Sequence, residues 1–349
     1  MSTMKAAVLV APGRFEVSDV PMPEIGPDEV LIWVERCGIC GTDVHIFNGH
    51  YSAHNLPLIP GHELAGTIAG LGENVTGLEI GRKAVVDINF GCGNCFYCRR
   101  NEILNCASVE QLGIGRDGAF AEFVSVPQRH VITAPDDVPF EILALVEPVA
   151  CVVRATRKAN VGIGQSAVVL GAGPIGNMHI QLLRLAGAAP VVVLEANPYR
   201  AELAVAAGAD AVVSDALELK AVVSDLTDGR GADVAVECVG IPELYRLAFD
   251  VIRPGGHVSA FGLAAEGESH SLPLLETVLR ENSLKGSVAG MGQDMHDALV
   301  LLRHGRLRTD AFTGSAIGID RIQTAFEGND MPSGQLKMSV VMDSAAVSA

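Results

Sequence analysis

The chain has 349 residues, of which 49% are hydrophobic and 19% are charged, and it contains 38 glycines. This length exceeds what one hydrophobic core usually fills, so the composition predicts a compact protein of two domains and excludes a disordered or fibrous chain. Acidic residues exceed basic ones by 41 − 25 = 16, a balance that disfavours nucleic acid and anionic membranes as partners.

The N-terminal sequence MSTMKAAVLVAPGRFEV contains an apolar run of only six residues before Pro12. Such a run is too short for a signal peptide or a membrane span, so we expect a cytoplasmic protein without a membrane partner. Because cytosolic thiols stay reduced, clustered cysteines in this chain favour metal binding over disulfides.

Residues 5–135 contain short β-rich segments separated by glycine and proline clusters such as PMPEIGPDE. These segments are AAVLV, EVLIWVE, LAGTIAGLG, KAVVDI and AEFVSV. The pattern predicts a β-rich, barrel-like first domain.

Two motifs in this half supply metal ligands of mixed type. RCGICGTDVH offers Cys40, and PGHELAG offers His62 and Glu63. A sulfur, a nitrogen and an oxygen donor suit a catalytic zinc that keeps one coordination position open. Cys37 and Cys40 also form a CxxC pair, but no thioredoxin-like βαβ context surrounds it, which argues against a redox role.

A second cysteine cluster follows in the sequence CGNCFYCRRNEILNC. Four thiolates close a tetrahedral shell, so this spacing predicts a structural zinc lobe with no position for substrate. An iron–sulfur cluster has the same ligand count and remains an alternative, as do reduced cysteines without metal. The predicted ligands are Cys92, Cys95, Cys98 and Cys106.

Glu147 lies within the apolar run LALVEPVAC. An unpaired carboxylate is costly to bury, so Glu147 is a candidate third ligand of the catalytic metal. A helix-capping or salt-bridged glutamate is the alternative.

From Ala167 onward, strand-like and helix-like segments alternate. This rhythm predicts a parallel, doubly wound sheet with helices on both faces. The segments are AVVLG, PIGNMHIQLLRLAGA, PVVVLE, RAELAVAAGA, DAVVS, ALELKAVVSDLTD, ADVAVECVG, PELYRLAFDVIR and GGHVSAFG.

The first strand–helix junction carries the motif VVLGAGPIGNM. Gly171 permits a tight turn, Gly173 lets the backbone approach a pyrophosphate, and Gly176 lets helix and strand pack closely. Pro174 and Ile175 begin the helix, whose N-terminus presents free N–H groups to the anion. The junction therefore predicts a dinucleotide site.

Glu195 closes the next strand, 19 residues beyond Gly176. An acidic side chain there accepts hydrogen bonds from the adenosine ribose and repels a 2′-phosphate, which favours NAD over NADP. A helix-capping glutamate is the alternative. Arg200 is a candidate to lie over the adenine ring, with an ordinary exposed arginine as the alternative.

After Leu284, the segment LKGSV predicts another strand, and MHDALVLLRHGRL and DRIQTAFEG predict helices. We expect this tail to pack beside the first domain.

Taken in order, these motifs resemble the zinc-dependent medium-chain dehydrogenase family, and in particular its sorbitol or polyol dehydrogenase branch. The matching blocks, which span nearly the whole chain, are CGICGTDVH, GHELAG, GCGNCFYC, DGAFAEF, EP at 147 and 148, VLGAGPIG, ECVG and GGHVSAFG. The resemblance implies an α/β protein with a GroES-like β-rich catalytic domain and a Rossmann NAD-binding domain with a doubly wound parallel sheet. The implied bounds are 1–150 and 289–349 for the catalytic domain, with its zinc lobe at about 90–107, and 151–288 for the Rossmann domain.

The resemblance also implies residue roles. Thr42 and His45 match the family's proton relay, although an isolated histidine here would read as an ordinary loop residue. The implied cofactors are two zinc ions per subunit and NAD, and the implied partner is a small alcohol. The branch often forms tetramers, so we expect a homo-oligomer, tetramer or dimer. The catalytic zinc ligands would be Cys40, His62 and either Glu63 or Glu147.

One segment departs from the polyol pattern. Polyol enzymes of this branch commonly carry an arginine and an aromatic residue where this chain has Ala289 and Gly290. Arg154 also stands where the family often has histidine. The departure leaves a smaller or differently shaped secondary alcohol open as the substrate.

The sequence therefore predicts an enzyme that uses zinc and NAD to oxidise a secondary alcohol, expected to be a polyol or sugar derivative, to a ketone. Alternatives are a dehydrogenase of simple alcohols or L-threonine-like hydroxy compounds on the same fold, and a zinc-ribbon binding protein without catalysis. A zinc-free quinone reductase would lack Cys40, His62 and the cysteine lobe.

Overall fold

The computed structural model describes residues 2–328 and 334–342. Contacts divide the chain into two compact units, the first formed by residues up to 147 and from 291 onward, and the second by Pro148–Gly290. The sequence-based bounds lie at 150 and 289, whereas the first division falls inside the helix Val146–Ala159.

The strands are, in chain order, β1 (Thr3–Ala11), β2 (Arg14–Pro21), β3 (Glu29–Gly38), β4 (Glu63–Leu71), β5 (Lys83–Val86), β6 (Asn89–Phe90), β7 (Glu110–Gln111), β8 (Phe123–Pro127), β9 (Val131–Thr133), β10 (Ala167–Leu170), β11 (Val191–Leu194), β12 (Ala211–Val213), β13 (Ala232–Glu237), β14 (Ile252–Ala260), β15 (Ser283–Gly286), β16 (Ala316–Gly318) and β17 (Ser339–Val341). The α-helices are α1 (Gly41–Phe47), α2 (Phe140–Leu143), α3 (Val146–Ala159), α4 (Pro174–Leu185), α5 (Pro198–Ala206), α6 (Ala216–Leu226), α7 (Pro242–Val251), α8 (Leu274–Leu279), α9 (Gln293–Arg303), α10 (Asp310–Thr313) and α11 (Ile322–Phe326).

The first unit is built on a seven-stranded sheet in the order β16-β17-β3-β4-β5-β9, with β8 also paired to β3. The pairs of β3 with β4, β8 and β17 are antiparallel. Ile32, Val34 and Ile68 of the central strands lie in a single buried apolar cluster, which the β1–β2 ribbon also joins. The predicted β-rich character of this half is confirmed.

The pairing of β3 with β4 and β17 determines which strand ends meet in the first unit. Gly38, at the end of β3, lies opposite Glu63, at the start of β4, and opposite Ser339 of β17. The sheet therefore brings residues around 38, 63 and 339 together, although they are distant in sequence.

The second unit contains a six-stranded parallel sheet in the order β12-β11-β10-β13-β14-β15. Val168 and Leu170 of β10 pack in one apolar cluster, and Ala167 and Val169 pack in another. The predicted doubly wound sheet is confirmed. Because the chain runs outward from β10 in one direction and from β13 in the other, the carboxyl ends of these two strands form a switch point, where such sheets bind ligands.

Among the described residues, no helix combines the length and the apolar character that crossing a membrane requires.

Candidate active site

Cys40 stands at the start of helix α1, immediately after β3. It is the N-cap residue, and its backbone N–H donates a 2.9 Å hydrogen bond to the Asp43 carboxylate. An acidic residue in the first turn caps the helix and complements its dipole. The cap fixes the direction in which the Cys40 thiol leaves the backbone.

Asp43 also holds the chain just before β4. Its fully buried carboxylate accepts a 3.2 Å hydrogen bond from the Gly61 N–H and lies 3.3 Å from Nδ1 of His62. A carboxylate on one ring nitrogen orients an imidazole so that its other nitrogen can bind a metal. Burial lowers the pKa of His62, but the Asp43 carboxylate and Cys40 outweigh it and hold this pKa well above its usual value.

Glu63 is the first residue of β4 and is only 1% exposed. Its carboxylate forms an ion pair with the ammonium of Lys337, which also donates a 3.1 Å hydrogen bond to the Ile39 carbonyl. Burial lowers the pKa of Lys337, but Glu63, Cys40 and Glu147 outweigh it, and this pKa is raised. The attraction between a buried carboxylate and a buried ammonium offsets part of the cost of taking both charges out of water.

Cys40, His62 and Glu63 together form a metal-ligating group, whose donor atoms all lie within 4.8 Å of one another. A thiolate, an imidazole and a carboxylate are the donor types of a three-ligand catalytic zinc site. The donor set therefore fits zinc. Glu147 lies buried in the first turn of α3, outside this group.

Thr42 and His45 both lie on α1, in the same short helix that Cys40 begins. They are three residues apart and therefore share a helix face, and both are partly exposed. The His45 ring lies 6.4 Å, centroid to centroid, from the His50 ring. The helix thus carries a hydroxyl and an imidazole that are both partly accessible to solvent.

The four clustered cysteines form a second metal-ligating group. Their sulfur atoms lie within 4.8 Å of one another, and none of the eight cysteines, all of which lie in the described part of the chain, forms a disulfide. Backbone N–H groups of Cys98 and Ser108 point at the sulfurs of Cys95 and Cys106 at 3.5 and 3.4 Å. Hydrogen bonds from the Asn94 and Cys95 backbone lower the pKa of Cys92 to about 6. These features fit a closed four-thiolate zinc lobe.

The dinucleotide motif forms the turn between β10 and α4 in the second unit. Gly171 has φ +91°, and Gly173 caps α4 with Pro174 in its first turn. A Cβ at position 176 would clash with the Gly171 carbonyl, so only glycine fits there. Pro174 and Ile175 are partly exposed at the helix N-terminus, where free N–H groups attract an anion.

Glu195 secures this turn through both of its carboxylate oxygens. One oxygen accepts a 2.8 Å hydrogen bond from the Ala172 N–H and the other accepts a 2.8 Å bond from the Asn197 N–H. Asn197 in turn caps α5, which carries the exposed Arg200. The Arg200 guanidinium lies 3.9 Å from where a Cβ on Gly173 would be. The acidic and basic side chains thus both border the glycine-rich turn.

The segment that departs from the polyol pattern is closely packed. A Cβ at Gly290 would clash with the backbone of Ala150, and the Gly290 N–H donates a 3.2 Å hydrogen bond to the Cys151 sulfur. Ala289 is buried. This backbone arrangement leaves no room for an aromatic side chain at position 290.

Three residues near the two sites escaped sequence reasoning. Asp43 carried a signal, since an acid three residues after an N-cap is a capping pattern. Lys337 carried only a weak one, a lysine within the apolar run LKMSVVM. Glu237 ends β13, is fully buried and accepts 2.9 Å hydrogen bonds from the Val239 and Gly240 N–H groups. Burial raises the pKa of Glu237, and its hydrogen bonds shape the turn at the end of that strand.

Comparison with known proteins adds family evidence. A family model of the alcohol dehydrogenase GroES-like domain matches residues 26–136, and a model of zinc-binding dehydrogenases matches residues 174–303. The chain is 34% identical to an L-threonine 3-dehydrogenase of Mesorhizobium japonicum. The alignment is 353 positions long and covers 98% of this chain and 100% of that enzyme.

Solved structures are similar over nearly the full length. A protein assigned as a zinc-binding dehydrogenase from Sinorhizobium meliloti, solved with NADP bound, is 31% identical with a TM-score of 0.90, covering 98% of this chain and 100% of that one. Galactitol-1-phosphate dehydrogenase from Escherichia coli is 26% identical with a TM-score of 0.88, covering 97% of this chain and 100% of that one.

Proposed function

Because the chain belongs to the zinc-dependent medium-chain dehydrogenase family, we propose that it oxidises a secondary alcohol to a ketone with NAD as the hydride acceptor. The observation that carries the proposal is the group of Cys40, His62 and Glu63, whose three different donor atoms lie within 4.8 Å of one another. A three-ligand set leaves one position for a substrate oxygen.

Each protein group around this position has a separate task. Cys40, His62 and Glu63 would hold the metal, Asp43 orients the His62 ring, and Lys337 neutralises Glu63. Zinc bound there would act as a Lewis acid that lowers the pKa of the substrate hydroxyl. Glu147 remains an alternative ligand.

Oxidation of the carbinol also requires a path for the hydroxyl proton. The Thr42 hydroxyl would accept this proton as it donates its own toward His45, and the His45 imidazole would release a proton to solvent. Their positions on α1, both partly exposed and three residues apart, support this relay.

The glycine-rich turn binds the pyrophosphate of the nucleotide. The negative charge of Glu195, which lies at this turn, favours NAD over NADP. The Glu195 carboxylate would repel a 2′-phosphate on the adenosine ribose. Its hydrogen bonds from Ala172 and Asn197 hold the carboxylate at the turn. The relative from Sinorhizobium meliloti was solved with NADP bound, so the preference of this chain for NAD is tested with both nucleotides.

Two substrate classes follow. A polyol or sugar derivative is the first, supported by the polyol-like motifs and by the similarity to galactitol-1-phosphate dehydrogenase. The close packing of Gly290, however, removes one side chain that polyol enzymes commonly use there. A β-hydroxy amino acid such as L-threonine is the second class, favoured by the 34% identity to L-threonine 3-dehydrogenase over nearly the whole chain.

A substrate screen tests the proposal. Purified protein is incubated with simple secondary alcohols, polyols, sugar phosphates and L-threonine, each with NAD and with NADP, and nicotinamide absorbance is recorded. We expect reduction of NAD by at least one secondary alcohol and none with the Cys40→Ser variant. Equal turnover by the Cys40→Ser variant would refute the metal-dependent mechanism.

A further inference from the structure

Glu237 is a fully buried carboxylate at the carboxyl end of β13, outside both metal-ligating groups. One of its oxygens accepts 2.9 Å hydrogen bonds from the Val239 and Gly240 N–H groups, and the other accepts a 3.1 Å bond from Gly240. Burying a charge is costly unless hydrogen bonds compensate it, and bonds to a charged acceptor are among the stronger ones. The carboxylate therefore fixes the loop of residues 239–241 that follows β13.

The same residue also holds the loop that follows β14. The backbone carbonyl of Glu237 accepts 2.9 Å hydrogen bonds from the Phe261 and Gly262 N–H groups. The hydroxyl of Tyr245, in α7, donates a hydrogen bond to the Gly262 carbonyl. Burial and the neighbouring Glu237 carboxylate raise the pKa of Tyr245, so this hydroxyl keeps its proton and remains a donor. Glu237 and Tyr245 thus secure the second loop from two sides.

Two glycines let these loops approach each other closely. A Cβ at Gly262 would lie 2.5 Å from a carboxylate oxygen of Glu237, closer than such atoms approach. Gly240 has φ +89°, and a Cβ there would clash with the Leu263 backbone. The loops after β13 and β14 therefore pack directly against each other, with the Glu237 carboxylate at their junction.

The two loops expose apolar side chains next to the glycine-rich turn. Val239, Ile241 and Leu263 are each between 42% and 45% exposed. The Val239 side chain occupies the space in which a Cβ on Gly171, the first glycine of that turn, would lie. Exposed apolar side chains that are grouped beside a polar binding element are typical of ligand sites.

The order of the strands gives the direction in which a dinucleotide would lie. β11 and β13 flank β10 on opposite sides, and β14 follows β13. Glu195, which follows β11, marks the adenosine side, and the pyrophosphate lies at the N-terminus of α4. The nicotinamide half therefore extends over the carboxyl ends of β13 and β14.

We propose that Glu237 is a positioning residue for the nicotinamide ring, because its carboxylate holds the loops after β13 and β14 so that their exposed apolar side chains contact the ring. The inference rests on the proposed function in requiring a dinucleotide at the glycine-rich turn. It differs from a purely structural role, in which loss of the carboxylate would weaken binding of every part of the nucleotide equally.

The test compares two ligands that differ in the nicotinamide ring. Binding of NADH and of ADP-ribose, which lacks the ring, to the full-length protein is measured by calorimetry. The variant Glu237→Gln keeps the size of the side chain but replaces one acceptor oxygen by an amide nitrogen that cannot accept a hydrogen bond. We expect the affinity for NADH to fall on the order of tenfold, the effect of about one lost hydrogen bond to a charged group, and the affinity for ADP-ribose to be unchanged.

A control and a second variant make the comparison specific. Glu243→Gln is the matched control, because Glu243 is an exposed glutamate of α7, and it should bind both ligands as the unchanged protein does. Equal losses for NADH and ADP-ribose in Glu237→Gln overturn the proposal, and so does an unaltered affinity for NADH. Tyr245→Phe, which removes the hydroxyl bound to the Gly262 carbonyl, should also weaken NADH selectively, and it provides the same comparison where Glu237→Gln does not fold.

The outcome is separable from that of the proposed function, since the measurement needs no alcohol and no turnover. Unchanged protein that binds neither NADH nor ADP-ribose would refute the nucleotide site, and the role of Glu237 with it. Unchanged protein that binds both ligands, together with a variant that loses both equally, would overturn only the role of Glu237.

Discussion

His179 makes the stability of the second unit depend on pH. It lies in α4, is 1% exposed, and packs edge-on against Phe261 with ring centroids 5.1 Å apart. Neither ring nitrogen has a hydrogen-bonding partner among the residues that the structure describes. Burial lowers the pKa of His179 to about 3. The ring therefore stays neutral in the folded chain well below the pH at which an ordinary histidine becomes protonated.

The magnitude follows from the difference between folded and unfolded states. In the unfolded chain, a histidine titrates near pH 6.5, so acid protonates the unfolded state first and favours it. The stability that neutral His179 permits is complete above about pH 6.5 and is lost as the pH falls toward the folded pKa. At pH 5 the loss is about 2 kcal/mol, from roughly 1.5 pH units at ~1.4 kcal/mol each.

The variant His179→Leu has no such proton to bind. We expect the free energy of unfolding of the second unit to fall by about 2 kcal/mol less between pH 7.5 and pH 5 than in the unchanged protein. At pH 7.5 the variant should also be more stable, since an unpaired buried polar group costs about 1–3 kcal/mol.

Unfolding by urea is measured at both pH values. Hydrogen exchange in peptides from β10 to β14 monitors it, so that the measurement reports on the second unit alone. His270→Leu is the control, because His270 is an exposed histidine of the same unit. Other titrating groups are common to all three proteins and cancel in the comparison. An equal loss of stability on acidification in His179→Leu and unchanged protein would refute the reasoning.

Three further predictions concern the two sites. Asp43→Asn removes the charge that orients His62, so zinc affinity, measured by competition with a chelator, should fall about 10–100-fold; unchanged affinity would mean that Asp43 serves only to cap α1. Gly176→Ala places a Cβ against the Gly171 carbonyl, so calorimetry should detect no NAD binding by a protein that still folds, and intact binding would contradict the close packing. Glu195→Ala should weaken NAD binding and shift the ratio of NAD to NADP affinity toward NADP, whereas an unaltered ratio would show that the carboxylate does not discriminate between them.

Features that depend on neighbouring residues could be predicted from the sequence. The four-cysteine lobe needs only a spacing that lets one loop wrap an ion, and the structure brings all four sulfurs together. The glycine-rich turn depends on a strand, a tight turn and a helix in direct succession, which the apolar pattern around Gly171 and Gly176 already contains. Local geometry fixes both, so periodicity and spacing suffice.

Features that depend on strand pairing were beyond the sequence. The choice between Glu63 and Glu147 stayed open because a ligand set is defined by distance in space, and only the fold groups Glu63 with Cys40 and His62. Lys337 reaches Glu63 because β17 pairs with β3 and β3 pairs with β4. No spacing rule connects residues 63 and 337, so a buried ammonium beside the metal ligands could not be foreseen.

Metal analysis of the purified protein tests the central claim most directly. Two ligand groups predict about two zinc ions per chain, and Cys40→Ser should retain about one zinc and lose alcohol oxidation while the cysteine lobe stays loaded. One zinc per chain in the unchanged protein, with the same content in the Cys40→Ser variant, would contradict a catalytic metal held by Cys40, His62 and Glu63.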